Sequence, residues 1–439
     1  MARVRLAIVR ILIVTHWFPP EIGAGQARLS GLAAAWAAGG EDVTVLTGVP
    51  NHPTGVVPAQ YRHLIRRQER RDGYRIVRTW LYATPNDGVL RRTLSHLSFM
   101  VGSVVLGARA CGPADTVIGS SPTFFSLWAA WALAKLKRAR LVIEVRDLWP
   151  AIFSELGVLT NRPLLRLLER SEMALYRAAD AIVVVTDGFR ARLIARGVPA
   201  SKIHTIHNGA DLDKFDPAEE CDPAVRTQLG ARPGDCLVLY AGTHGIAQGL
   251  PAYADTALTL RGEPIHLAFV GEGADKARLG QRIAEANLTN VTMLPSVPPK
   301  QMPALLAAAD ICLVALRDLP LFSVFIPSKL FEYLAAGRPV IGAVAGEAAQ
   351  ILREAGAMVI PPEDSAALAT AIRELAADPQ RRQAMSAQGR SYVEQYFDRA
   401  VLASQYRKII LGLGQAASGG TPAAQAEQPL PSTARPDGR

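Results

Sequence analysis

The sequence predicts an α/β protein built from two doubly wound, Rossmann-like domains facing each other across a cleft. Three observations predict it. The length of 439 residues is two to three times the roughly 100–200 residues usual for one domain. Short β-branched runs alternate with Ala- and Leu-rich helical stretches, and the alternation starts afresh halfway along. A composition of 49% hydrophobic and 20% charged residues can fill a large core and excludes a chain disordered throughout.

The first series of expected strands covers residues 11–15, 43–47, 116–119, 141–145, 181–185 and 203–206, with a first helix over 26–38. These runs are short and rich in β-branched residues, the pattern of a parallel sheet covered by helices on both faces. After an acidic, Pro-containing stretch at 215–223, a second series covers 237–241, 265–270, 291–294, 311–315, 340–342 and 357–360. The expected division is therefore a first domain over 1–214, a second over 215–395, a C-terminal helix over 396–412, and a disordered tail over 413–439 rich in Gly, Ala, Pro, Gln and Ser.

Arg10 interrupts the apolar N-terminal run and no small-residue cleavage site follows, so the start reads as the lead-in to a buried strand and not as a signal peptide. Residues 116–134 carry no charge over a length that could span a bilayer, but Gly119, Ser120, Ser121 and Pro122 split them into a strand and a later helix. Residues 94–108 are apolar, with His96 as their one titratable group before Arg109, and follow Arg91 and Arg92. A core helix and a helix lying on a membrane surface both fit that pattern. Cys111, Cys221, Cys236 and Cys312 form no CxxC pair, which argues against a zinc ribbon or disulfide framework and for buried, reduced thiols.

The net charge of +9 resides wholly in the first half, where residues 1–220 hold 28 Lys/Arg against 19 Asp/Glu. Its densest part is Arg62, Arg66, Arg67, Arg70, Arg71, Arg75, Arg78, Arg91 and Arg92. That distribution suits anionic lipid, a phosphorylated acceptor or nucleic acid, or else is a solvated face. No aromatic-interleaved motif supports nucleic acid.

Doubly wound sheets bind ligands at the carboxyl ends of their strands, so the chemistry is sought in the loops there. In the first loop Gly23 and Gly25 allow close backbone approach ahead of a helix, but the third glycine of a dinucleotide fingerprint is replaced by Arg28. Glu144, Arg146 and Asp147 bring charge to the end of a buried strand, where it is costly unless paired or used. Asp211 and Asp213 form a DxD that suits a divalent metal, though the preceding Asn208 and Gly209 fit a hinge equally. Gly242, Thr243, His244, Gly245, Gln248 and Gly249 lie in a glycine-rich loop without the GK[ST] of a P-loop. In the last loop, Pro327 and Ser328 start a helix that Gly337 and Pro339 stop, and Lys329 falls in its first turn, where the helix dipole disfavours a cation by roughly 0.3–1 kcal/mol unless an anion is present. Glu332 lies one residue beyond the capping-box position and is free to accept hydrogen bonds from hydroxyls.

Taken together, the Pro20–Gly25 loop, Asn51-His52-Pro53-Thr54-Gly55, Arg146-Asp147-Leu148-Trp149-Pro150, Asn208-Gly209-Ala210-Asp211, the Gly242–Leu250 loop, Gly271-Glu272-Gly273 and Pro327-Ser328-Lys329 resemble a GT-B glycosyltransferase of family 4. The likeness runs from about residue 11 to 411 and is greatest to bacterial fucosamine-transferase (WbuB-like) enzymes of surface-polysaccharide assembly. It implies that the C-terminal helix over 396–412 returns to the first domain, and it implies transfer of a sugar, such as an N-acetylated deoxyamino sugar, from a UDP-sugar, with retention, without metal or other cofactor. Glu332 would hold the ribose, Lys329 and the amides around Ser328 the diphosphate, and the loop of Gly242, Thr243, His244, Gly245 and Gln248 the diphosphate and sugar. Gly23 and Gly25 would close over the donor, Arg146 and Asp147 would stand near the transferred sugar, and His16, Asn51 and His52 would lie on the acceptor side. The acceptor would be a polyprenyl-diphosphate-linked sugar or glycan, met by a cytoplasmic protein held peripherally on the inner face of the plasma membrane, with no nucleic acid involved.

The chain also departs from that family. Its paired acid, eight residues before Glu332, is Val324; Thr243 and Gln248 stand where Arg and Lys are usual; and Arg146 stands where many members have His. The donor sugar is therefore left open. Rival readings are a GT-B epimerase needing no acceptor, a GT-A transferase using Asp211 and Asp213 as metal ligands, and a non-enzymatic anion-binding protein.

Overall fold

Buried β-branched runs pair in parallel to form two sheets. The computed structural model describes residues 8–417 apart from Pro53, Asn86, Asp87 and Val158. The first sheet contains β1 (Arg10–Val14), β2 (Asp42–Gly48), β3 (Arg66–Arg71), β4 (Tyr74–Thr79), β5 (Thr116–Ser120), β6 (Arg140–Val145), β7 (Ala181–Val184) and β8 (Ile203–Thr205), in the order β3-β4-β2-β1-β5-β6-β7-β8. The second contains β9 (Cys236–Ala241), β10 (Ile265–Val270), β11 (Val291–Leu294), β12 (Ile311–Ala315), β13 (Val340–Ala343) and β14 (Met358–Ile360), in the order β11-β10-β9-β12-β13-β14. Apolar clusters cover both faces of each sheet, which makes the fold two Rossmann-like layers of helix, sheet and helix.

The arginine-rich stretch folds into something its charge pattern hid. β3 and β4 pair antiparallel across Asp72 and Gly73, both at positive φ (45° and 83°), the geometry an Asp-Gly hairpin turn adopts. Arg66, Arg67, Arg70 and Arg71 thus sit on the exposed edge strand of the first sheet. A charged edge also blocks pairing with another chain.

Two crossings join the domains. The segment after β8 leads into the second domain, and the chain returns after the helix Pro379–Tyr396, where Ala210 N–H donates to Phe397 O (3.0 Å) and Arg399 N–H to Ala210 O (2.9 Å). The last helix, Arg399–Ala417, packs on the helix Ala24–Ala38, with Trp36 Nε1 donating to Ala403 O at 2.9 Å and the Trp36 and Tyr406 rings 5.2 Å apart. It runs to Ala417, so residues 413–417, expected as tail, are helix; the rest of the expected tail, residues 418–439, lies outside the described residues, as do residues 1–7. Leu402, Tyr406 and Ile410 project from it into the apolar layer of the first domain, so burial carries the helix past the Gly-rich composition. Of the four thiols Cys111 and Cys312 are buried, Cys236 is half-buried, and Cys221 is exposed, contrary to expectation, on the polar connection into the second domain.

Candidate active site

The loop after β1 is organised by a buried carboxylate. Glu21 accepts N–H bonds from Phe18 (3.1 Å), Asn51 (2.9 Å) and His52 (2.8 Å), tying the first loop to the one after β2. Pro53, in that second loop, lies outside the described residues. The following helix starts at Ala24, two residues before the expected 26, because Gly23 is already extended backbone and places Gly25 in the first turn. Gly25 matters for approach: a Cβ there would fall 1.7 Å from Arg146 Nη1. The Arg146 guanidinium therefore rests on bare backbone, and its Nε donates to Ser121 O at 2.8 Å.

Glu144 is wholly buried and pairs with Arg28, Nε to Oε1 at 2.9 Å, whereas Arg146 Nε stands 4.0 Å away. Arg146 is thus the more distant of two partners: the residue that breaks the glycine fingerprint makes the closer pair with the strand-end acid. Arg28 also donates to Ile206 O (3.0 Å) and His207 O (2.7 Å), holding the start of the inter-domain segment. Asp147, next to Arg146, is pushed up to about 6 by burial, with the Arg146 charge opposing. His16 and His52 lie together with Asn51 at a separate pocket on the first domain.

On the second domain Lys329 opens the helix Lys329–Ala335. Its Nζ is buried without a hydrogen-bond partner, 3.5 Å from the centroid of the Tyr240 ring and directly beneath Gly242, where a Cβ would fall 2.7 Å from it. Tyr240 donates its hydroxyl to Thr243 O at 2.7 Å, so the ring supporting the ammonium also shapes the glycine loop. Tyr333 clamps the helix to β9, accepting Ala241 N–H at 2.9 Å and donating to Ala241 O at 2.8 Å. Burial lowers Lys329 to about 7, with Glu332 partly opposing.

The glycine loop stands against a second glycine segment. A Cβ on Gly271 would fall 1.8 Å from Gly242 O and one on Gly273 would fall 2.3 Å from His244 O, so both glycines permit backbone-to-backbone contact. Gln248 is turned inward, accepting Gly245 N–H at 3.0 Å, and the His244 ring is fully buried beside Tyr240. His244 is lowered to about 4, first by burial and then by the Lys329 charge. In this arrangement the loop's backbone and Thr243, more than the Gln248 amide, face outward.

Ser328 and Glu332 line a cavity between the domains together with Ala24, Arg28, His207, Asn208, Gly209 and Arg399. Burial raises Glu332, and the charges of Arg399, Lys214 and Lys329 oppose that rise. Val324, at the place of the missing acid, packs on Gly188 of the first domain, where a Cβ would fall 2.5 Å from Val324 Cβ, and the neighbouring Phe325 meets Phe189 at 4.9 Å between rings. Apolar inter-domain packing occupies that position. Asp211 and Asp213 are not grouped to bind a cation; among the described residues that spacing is met by Asp187, His207 and Glu347, whose Glu347 carboxylate accepts the Asp187 (2.9 Å) and Gly188 (2.8 Å) N–H groups across the domains.

Residue patterns alone gave no sign of Arg399 at the site, since it arrives by folding; Tyr333 adjoins Glu332 in the same helix, but its clamp on β9 is made across the fold. Tyr240 lies on β9 just ahead of the glycine loop, and an aromatic two residues before the loop's first glycine was the available signal.

Two facing Rossmann-like domains with a cleft between them are a GT-B architecture, and the chain belongs to the glycosyltransferases of that fold: residues 23–209 match the glycosyl transferase 4-like domain and residues 223–392 the glycosyl transferases group 1 domain. Among relatives, it is 29% identical over 416 residues (92% of this chain, 100% of the relative) to a protein of Escherichia coli K12 assigned as the colanic acid biosynthesis glycosyl transferase WcaI. It is 27% identical over 424 residues (92% and 98%) to the GDP-mannose-dependent alpha-(1-6)-phosphatidylinositol monomannoside mannosyltransferase of Mycobacterium tuberculosis H37Rv. Similar folds include the sucrose-phosphate synthase of Thermosynechococcus elongatus (TM-score 0.70, 20% identity, 93% of this chain and 100% of that one). Anabaena HepE in complex with UDP and glucose also matches (0.69, 18%, 92% and 99%).

Proposed function

We propose that the protein moves a sugar from a UDP-sugar to a lipid-linked glycan acceptor in the assembly of a surface polysaccharide or glycolipid, with retention and without a metal. The observation that carries this reading is the buried, unpartnered ammonium of Lys329, seated on Tyr240 beneath the Gly242 loop and beside Glu332. An ammonium without a partner is costly, and a diphosphate supplies the missing charge. Breaking the anomeric bond develops negative charge on that diphosphate, so a fixed cation there lowers the barrier. Glu332 would accept the ribose hydroxyls, and Arg146 and Asp147, at the end of β6 across the cleft, would stand beside the sugar ring as it becomes positive. The departing phosphate would take the acceptor's proton.

The relatives carry different nucleotides, UDP with HepE and GDP-mannose with the mannosyltransferase, so the nucleotide is the first thing to test. UDP at one hundred times its dissociation constant should stabilise the fold by about 2.7 kcal/mol, read as a rise in melting temperature, with GDP giving less. A larger shift with GDP would transfer the assignment to a GDP-sugar, and no shift with either would overturn it.

Membrane attachment is the second part of the proposal. No helix of the described residues is long and apolar enough to cross a bilayer. The helix Val89–Ala110 instead exposes Leu90, Leu94, Leu97, Val101 and Val105, each 38–73% accessible, which fall within about 80° of one another at 3.6 residues per turn. Trp80 and Tyr82 adjoin it, since a Cβ on Gly102 would fall 2.7 Å from Trp80 O and Tyr82 N–H donates to Ser98 Oγ at 2.8 Å. The exposed arginines of β3 border this surface through Ile65, whose carbonyl accepts Trp80 N–H. An apolar stripe with interfacial aromatics and a basic rim fits an anionic lipid surface. The double substitution Leu94→Glu with Val101→Glu should lower cosedimentation with phosphatidylglycerol vesicles at least tenfold while leaving the nucleotide-induced melting shift intact.

A further inference from the structure

The helix Val89–Ala110 has a second face. Arg92, Ser95, His96 and Phe99 lie on the side about 180° from the exposed stripe. Against them come His16 and Trp17 from the loop after β1 and Asn51 and His52 from the loop after β2, and the two loops and the helix enclose a pocket completed by Thr84 and Pro85. The His16 ring lies 4.6 Å from His96 and 4.7 Å from Phe99, and Trp17 lies 4.6 Å from His52. His16 is 2% exposed, and its Nδ1 has no hydrogen-bond partner.

Among the described residues no carboxylate lines this pocket. Glu21, in the loop after β1, is satisfied by three backbone N–H groups. Asn51 spends its amide on Val49 O at 3.0 Å. Arg92, His52, His96 and His16 are left facing one another with a surplus of donors.

We propose that this pocket binds the phosphate or diphosphate group of the acceptor; the proposal rests on the lipid-linked acceptor reading and names its recognition site. A tetrahedral oxyanion accepts hydrogen bonds from several directions at once, and the pocket offers them from a guanidinium, imidazoles and the Ser95 hydroxyl on three different segments. Burial holds His16 well below its usual range, His52 lowered and His96 at about 4, and Arg92 pushes the last two further. The empty pocket therefore carries one charge and avoids mutual repulsion, while each neutral ring keeps an N–H to give. With the stripe on the opposite face sunk about 5–10 Å into the lipid and a helix about 10–12 Å across, the pocket stands at headgroup level. A prenyl diphosphate reaches it with its tail still in the bilayer.

The test is calorimetric titration of the whole protein with farnesyl diphosphate, inorganic pyrophosphate and farnesol, with the donor site filled by whichever of UDP or GDP raises its melting temperature. The expected result is that farnesyl diphosphate binds, pyrophosphate competes with it, farnesol does not bind comparably, and Arg92→Gln and His96→Gln each weaken binding at least tenfold without changing the nucleotide-induced melting shift. Farnesol binding as tightly as its diphosphate, or diphosphate binding indifferent to both substitutions, overturns the pocket. If neither nucleotide shifts the wild-type protein, the donor reading fails on its own, and pyrophosphate binding compared between wild type and Arg92→Gln still decides the pocket.

Discussion

Lys329→Met should lower sugar transfer by about 10²- to 10³-fold, the loss typical when one fixed donor to a developing oxyanion is removed, and should not lower the melting temperature. The two halves of that expectation come from one fact. The ammonium is buried with no hydrogen-bond partner and only a tyrosine face beneath it, so the fold gains little from its charge, and a methionine of similar length fills the same space. Wild-type turnover in the variant would sink the donor-site assignment.

The pH dependence follows with a definite sign. Lys329 is lowered by burial from its ordinary 10.5 to about 7. Between those values the unfolded chain holds a proton that the folded chain has released, so this group makes the ligand-free protein more stable as pH rises from about 7 towards 10. Denaturation midpoints should show that slope in the wild type and lose it in Lys329→Met. A diphosphate reverses the balance, because it favours the charged ammonium; above pH 7, nucleotide binding takes up a proton, and affinity falls by up to about tenfold per pH unit. Calorimetry in buffers of different ionisation heat reads that proton directly.

How much of this was legible beforehand depends on whether a residue's partner is near it in sequence. Every strand of the second sheet was expected within one residue of where it lies, because buried parallel strands are continuous apolar runs. Lys329 stood out because a cation in the first turn of a short helix is locally unfavourable. β3 was missed because its residues are arginines and an edge strand needs no buried face, although Asp72-Gly73 announced the turn. The helix Val89–Ala110 could be read as core or as membrane surface and is built for both, one face buried and the other bare. Arg399 reaches the cavity only because the last helix crosses back to the first domain, a return that the family resemblance implied and that no local residue pattern marks. Arg28 counted against one kind of glycine loop and gave no hint of what it does instead.

Arg28→Ala should destabilise the first domain by about 3–5 kcal/mol, the usual result of removing one member of a buried ion pair. Glu144 is entirely enclosed and retains a hydrogen bond from Ser120 Oγ at 2.7 Å, but its principal charge partner would be gone, and Arg146 at 4.0 Å is held by the Ser121 carbonyl. Burial is the largest influence and opposes ionisation of Glu144, but the charges of Arg28 and Arg146 with the hydrogen bonds from Ser120 and Arg28 together outweigh it, so the carboxyl lies below its usual range in the intact fold. Stability from that depression is present above the ordinary carboxylate pKa and is lost as pH falls through the lowered one; without Arg28 the contribution should vanish, which denaturant melts between pH 3 and pH 7 can follow. Arg28 also gathers the Ile206 and His207 carbonyls at the point where the chain leaves the first domain. Its loss therefore frees the inter-domain segment as well as the acid. Restoring neutrality with Glu144→Gln in the Arg28→Ala background should recover the electrostatic share of the loss but not the share owed to those carbonyls, and the shortfall measures how firmly this one guanidinium fixes the two domains in register.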